Sequence, residues 1–131
     1  MKEYKDVYST PGAFSWSELI TTDPAAAATF YGELFGWTSQ DMGAAVKGYR
    51  VVSVGDSGIG GIMPMPEGAP PMPPHWGCYV TVENVEATLA KCKELGGKTM
   101  VEPMDIPGVG RMAVLQDPQG AVLNVMAYNM P

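Results

Sequence analysis

A chain that repeats itself at a fixed spacing must fold into an architecture that uses one structural unit twice. Here Leu19–Thr38 (LITTDPAAAATFYGELFGWT) lies over Tyr79–Thr99 (YVTVENVEATLAKCKELGGKT). Thr21 meets Thr81 at an offset of 60, while Glu33-Leu34 meets Glu94-Leu95, and Gly36 meets Gly97, at 61. Further on, YRVVSVGD (Tyr49–Asp56) falls over GRMAVLQD (Gly110–Asp117) at 61, and GIGGIM (Gly58–Met63) over AVLNVM (Ala121–Met126) at 63. The identities are few, but their order and spacing persist along the whole chain. They point to a duplication.

Both copies obey one grammar. A half-alternating stretch rich in β-formers, Phe14–Thr21 or Trp76–Val82, reads as a strand. Asp23-Pro24 then opens a helix, with the aspartate as N-cap and the proline at the first helical position; Asn84 is the matching cap of the second helix. Gly36 and Gly96-Gly97 suit left-handed C-caps. On the second helix Val85, Leu89, Cys92 and Leu95 fall at helical spacing and predict one buried stripe. About three short strands follow each helix, broken by turns such as GDSG at Gly55–Gly58 and DPQG at Asp117–Gly120. The expected fold class is therefore α+β: two βαβββ modules with cupped, mostly antiparallel sheets. A chain of 131 residues suits one such domain, with repeats at about 13–63 and 75–127. A proline-rich connector, 64–74, joins them because prolines cannot donate to a ladder.

Composition removes several classes of function. Eight basic residues against fourteen acidic ones give a net charge of −6, which repels phosphate backbones, so neither nucleic acid nor an anionic membrane is an expected partner. One histidine and two distant cysteines exclude a zinc finger or an HExxH metalloprotease. No run of eighteen apolar residues occurs and MKEYKDVYSTPG has no apolar core, so a cytoplasmic chain without a signal peptide is expected. In a reducing compartment Cys78 and Cys92 read as buried thiols rather than a disulfide. GIGGIM is not a dinucleotide-binding loop, since it lacks the GxGxxG spacing and precedes no helix.

Two βαβββ modules carrying TTDPAAAATFYGELFGW, PPMPPHWGCYVTVENVEATLAKCKELGG and PMDIPGVGRMAVLQDPQGAVLNV resemble the vicinal oxygen chelate superfamily. That group includes glyoxalase I, extradiol dioxygenases and bleomycin resistance proteins, and the last of these sequence runs is similar to its glyoxalase-like or hydroxylase-like branch. The resemblance implies a cup-shaped sheet in each module, with metal ligands on the inner face drawn from the first and last strands. Through the repeat, those slots fall on Trp16, Gly61, Gly77 and Asn124. Glycine offers no side chain, an indole nitrogen only donates, and an amide oxygen ligates weakly. A divalent metal is therefore not expected, and no other cofactor is implied.

Strand alternation gathers further residues on the inner face. Phe14 and Glu18 accompany Trp16, His75 and Tyr79 accompany Gly77, Val122 and Met126 flank Asn124, and Ile59 and Met63 flank Gly61. The expected ligand-binding set is Phe14, Trp16, Met63, Tyr79, Arg111 and Asn124, with Arg111 available to an anionic group. Glu18 and His75 are the candidate catalytic acid and base. Each also has an ordinary reading: Glu18 as an edge or paired carboxylate, His75 as an exposed ring satisfying a backbone carbonyl. Arg111 likewise reads by default as an exposed charge. An aromatic, methionine-rich cup suits a small hydrophobic or aromatic molecule held without metal. The alternative is a lyase, isomerase or oxygenase working through Glu18 and His75 or through an atypical metal site. Likeness to family members of this size, and open strand edges, also lead us to expect a homodimer.

Overall fold

The computed structural model describes residues 6–42, 48–65 and 72–128. The chain divides into two compact units, one of residues 16–77 and one of residues 1–15 with 78–131. Each has two layers, a helix against one face of a four-stranded mixed sheet.

The elements of the first repeat are β1 (Phe14–Thr21), α1 (Pro24–Phe35), β2 (Thr38–Asp41), β3 (Arg50–Val54) and β4 (Ser57–Pro64). In the sheet they run β2-β3-β4-β1. The β2/β3 and β3/β4 pairs are antiparallel, and β1 pairs with β4 in parallel, Glu18 beside Gly61. The Asp23 carboxylate accepts from the Ala26 N–H at 3.1 Å, satisfying an orphan donor of α1, and Pro24 follows as expected. Gly36 closes the helix in the left-handed region at φ 77°, a conformation a side chain would strain. Leu19, Val52 and Ile62 are buried on one face of this sheet, packed by Ala27, Ala28 and Tyr31 of α1 and by Trp37. Alternation then sends Glu18, Val51 and Gly61 to the face turned away from the helix.

The second repeat supplies β5 (His75–Thr81), α2 (Val85–Glu94), β6 (Lys98–Ile106), β7 (Gly110–Gln116) and β8 (Val122–Tyr128), in the order β5-β8-β7-β6. Again the last strand pairs with the first in parallel, Tyr79 beside Asn124, and the other pairs are antiparallel. The Asn84 side chain caps α2 through the Ala87 N–H at 2.9 Å. Val85, Leu89, Ala113 and Val125 form the buried core, joined by Val82, Leu115 and Ala127. The N-terminal segment belongs to this unit: Gly12 N–H donates to the Thr81 carbonyl at 2.8 Å, and Thr81 N–H returns to Ala13 at 2.9 Å.

The α+β class and both βαβββ modules match the sequence expectation, and four details differ. The strand expected at Trp76–Val82 starts and ends one residue earlier. The stripe on α2 stops short of Leu95, which is 67% exposed. That residue is the C-cap, and the chain turns away at Gly96, with φ 94°. Gly97 then passes so close to the helix that a Cβ there would sit 2.5 Å from the Cys92 sulfur. Cys78 is exposed rather than buried; Cys92 is half-buried, and both thiols are free. Of the proline-rich connector, residues 66–71 lie outside the described residues.

Ile62 and Val52 have 0% and 1% of their surface exposed, so the core of the first repeat has no slack to absorb a deletion. Ile62→Ala is expected to destabilise the protein by about 3 kcal/mol, read from its urea midpoint with the slope unchanged.

Candidate functional site

The face of the first unit opposite α1 is built around a glycine-rich strand. In β4, GIGGI places Gly58 and Gly61 where side chains would otherwise rise from that face. A Cβ on Gly61 would overlap the phenol oxygen of Tyr49. A Cβ on Gly58 would meet Val51 at 3.3 Å and the edge of the Trp16 indole at 3.8 Å. A bulge makes this possible: Val52 pairs with Gly60 but Ser53 with Gly58, leaving Ile59 as the extra residue. It is Gly58, then, that lies beneath Trp16, where plain alternation leads one to expect Ile59.

Two aromatic rings fill the space the glycines leave, and one buried carboxylate ties them down. Trp16 Nε1 donates to the Tyr49 hydroxyl at 2.9 Å, and that hydroxyl donates to Glu18 Oε2 at 2.9 Å. Glu18 is only 8% exposed. A carboxylate so removed from water is stable only with donors around it, and the phenol is one of them. Trp16 and Glu18 come together as their spacing in β1 anticipates. Tyr49, the residue that joins them, is not among the expected site residues. The signal was the hairpin register: Val51 lies opposite Gly61, so two residues back the chain carries its aromatic ring to the same face.

The corresponding face of the second unit carries Tyr79 (buried), Asn124 (half-buried) and Met126 (buried), with Met112 opposite Met126. Ser15 Oγ lies 2.7 Å from the Tyr128 hydroxyl on the same strand as Asn124. Arg111 is elsewhere. It alternates with Ala113 and Leu115 and so stands on the α2 side, where its guanidinium donates to Glu86 (2.8 and 2.5 Å) and to Asp105 (3.0 Å). The hydrogen bonds to Glu86 and then to Asp105 raise the Arg111 pKa further, and the bond from Arg111 holds Glu86 below the ordinary carboxylate value. A cavity of about 600 Å³ opens on the α2 side of this unit, lined in part by Asn84, Thr88, Cys92, Leu95 and Leu115; none of the candidate residues lines it.

The remaining candidates scatter. His75 is exposed, and its Nδ1–H donates to the Pro73 carbonyl at 2.9 Å. This is the ordinary role open to it from the sequence. Phe14 is 68% exposed, and Met63 is half-buried at the end of β4.

A family model described as the Glyoxalase/Bleomycin resistance protein/Dioxygenase superfamily matches residues 13–125. The chain belongs to this superfamily. Among the relatives of this superfamily member, a Mycobacterium tuberculosis protein named as a glyoxylase, CFP32, is 45% identical over 88% of the chain and 44% of the relative. The anthracycline biosynthesis protein DnrV of Streptomyces peucetius is 36% identical over 88% of the chain and 46% of its own length. The chain thus spans less than half the length of these relatives. Among solved structures, homoprotocatechuate 2,3-dioxygenase of Brevibacterium fuscum superposes with a TM-score of 0.63 at 17% identity, covering 93% of the chain and 39% of the enzyme. Methylmalonyl-CoA epimerase of Mycobacterium tuberculosis gives 0.59 at 14%, covering 90% and 89%. These likenesses show the glyoxalase-like fold.

The metal that the fold family implies does not fit this donor set. Trp16 spends its only polar atom donating to Tyr49, the Gly61 slot is filled by a phenol already bonded on both sides, Gly77 has no side chain, and Asn124 offers only a weakly ligating amide oxygen. Among the described residues no cluster of three histidine, cysteine or carboxylate side chains stands close enough to hold an ion.

Two measurements follow from this geometry. Gly61→Ala expels the Tyr49 ring and is expected to cost about 1–3 kcal/mol, the penalty for taking a donor from a buried carboxylate; Tyr49→Ala should match it, and the double variant should cost little more than either. On the opposite side of the other sheet, Arg111→Gln should return the Glu86 pKa upward toward the ordinary value in a carbon-detected NMR titration. The pair's contribution to stability is present above the unfolded carboxylate value and lost as pH falls through the lowered one.

Proposed function

We propose that this superfamily member binds a small hydrophobic or aromatic molecule without a metal, against the face made by Trp16, Tyr49 and Glu18. One observation carries the reading: the Gly61 position, a ligand slot by family resemblance, is occupied by a phenol locked between an indole and a carboxylate. An indole and a phenol side by side offer stacking surface, and the carboxylate beneath adds a fixed polar edge. The name of DnrV, an anthracycline biosynthesis protein, supports a planar polycyclic aromatic as the ligand class. Tyr79, Asn124 and Met63 are secondary contacts in this proposal. The acidic charge of −6 argues against nucleic acid, and no helix among the described residues is long and apolar enough to cross a membrane. We place the protein in the cytoplasm and expect copies of the chain to pair.

The buried Glu18 carboxylate is also what favours the competing reading, an enzyme that moves a proton on its substrate. Titration with a hydroxyanthraquinone separates the two. Saturable quenching of tryptophan fluorescence is expected, unchanged by EDTA, and Trp16→Phe should weaken binding about tenfold, or ~1.4 kcal/mol. Equal affinity in Trp16→Phe would remove this face as the site. Turnover that is lost in Glu18→Gln while binding persists would replace the binder with the enzyme.

A further inference from the structure

Helix α1 is unusual for a helix on the outside of a sheet. Only one of its residues, Glu33, is charged, and none is buried. A helix in that position normally turns a polar face to water. Here Phe30, Leu34 and Phe35 are 59%, 57% and 58% exposed. Around them Tyr31 stacks on Phe35 at 6.2 Å and on Trp37 at 5.7 Å, and Trp76, 40% exposed, packs edge-on to Tyr31 and donates its indole N–H to the Tyr31 hydroxyl. This cluster lies wholly within the unit of residues 16–77. At ~200 Å² per aromatic side chain, the four exposed residues leave roughly 400 Å² of apolar surface. That is about half of what each partner commits to a standard interface, and it has the composition of an interface centre.

We propose that this ridge is the surface on which two copies of the chain pair, helix α1 against helix α1 in antiparallel fashion. The inference rests on the self-association proposed above and names its surface. Two features of the ridge select a second copy as the occupant. Ala26, Phe30 and Leu34 form one i, i+4, i+8 row, small at the N-terminal end and large at the C-terminal end. A two-fold axis through Phe30 sets the partner's Leu34 over Ala26 and its Ala26 over Leu34, so the row is complementary to itself, as an isologous interface requires. The second feature is charge. Copies carrying −6 each repel one another, and the repulsion is least where the surface carries a single carboxylate. The antiparallel arrangement also opposes the two helix dipoles favourably.

Sedimentation equilibrium of the full chain at ~10–200 µM, at moderate salt, tests this. A dimer is expected for the parent protein. Phe30→Glu and Phe30→Lys should each be monomeric, because like charges meet on the axis, and their mixture should restore a dimer. Circular dichroism and thermal melting verify that both variants keep the fold, which exposed positions permit. In a Cys78→Ser background, Phe30→Cys should oxidise to a covalent dimer far faster than the Cys78→Ser protein alone. A dimer that persists in Phe30→Glu would overturn the ridge as the interface while leaving self-association standing. A parent protein that stays monomeric across the range would overturn both, and would leave the ridge to some other occupant.

Discussion

The hydroxyl of Tyr49 holds the working face of the first unit together. It accepts from one indole and donates to one buried carboxylate. Without the phenol, Trp16 Nε1 loses its acceptor and Glu18 loses a donor. Each loss costs more than the bond itself is worth on balance, because desolvation has already been incurred. The ring can stand there only because Gly61 has no side chain, and Gly61 can occupy that point only because the bulge at Ile59 sets the register of β4 against β3. One missing methyl group, one extra residue and one hydroxyl thus form a single device.

That device changes what the fold can do. A metal slot in this architecture needs a free lone pair directed from the first and last strands. The first unit offers instead a phenol whose proton is committed to Glu18 and which already accepts from an indole. Such a site cannot polarise a substrate oxygen as a Lewis acid does. It is suited to presenting flat apolar surface beside a fixed carboxylate, which is the chemistry of recognition, or of proton transfer where a substrate places an acidic hydrogen within reach.

Most of the fold was legible because its determinants are local and periodic. Asp23-Pro24 and Asn84 cap the helices where the sequence placed them, and β1 has the bounds that alternation anticipates. The misses came wherever one residue interrupts a period. Ile59 left the expected face because a bulge adds a residue, and Leu95 left its stripe because it is the C-cap, from which the chain turns away at Gly96. Arg111 illustrates a different limit. Its charge made it conspicuous as a ligand contact, yet its alternation with Ala113 puts it on the helix side, where Glu86 and Asp105 claim its donors. Tyr49 was hidden by the repeat itself, which aligns it with Gly110 and so offers no counterpart to compare.

That misalignment is informative about how the two copies diverged. In the first repeat the large side chain stands at 49 and the glycine at 61; at the equivalent positions of the second the glycine stands at 110 and the side chain, Asn124, on the last strand. Bulk on the face has moved from one strand to another, although asparagine is smaller than tyrosine and replaces only part of it. Glu18 has been exchanged in the same way for Tyr79, moving the phenol from the hairpin to the first strand and removing the buried acid. Gly110 is held to its identity by a different contact, since a Cβ there would overlap the Ala127 carbonyl. The two units therefore meet the same steric requirement with opposite assignments, and only the first ends with a carboxylate, an indole and a phenol in one hydrogen-bonded line.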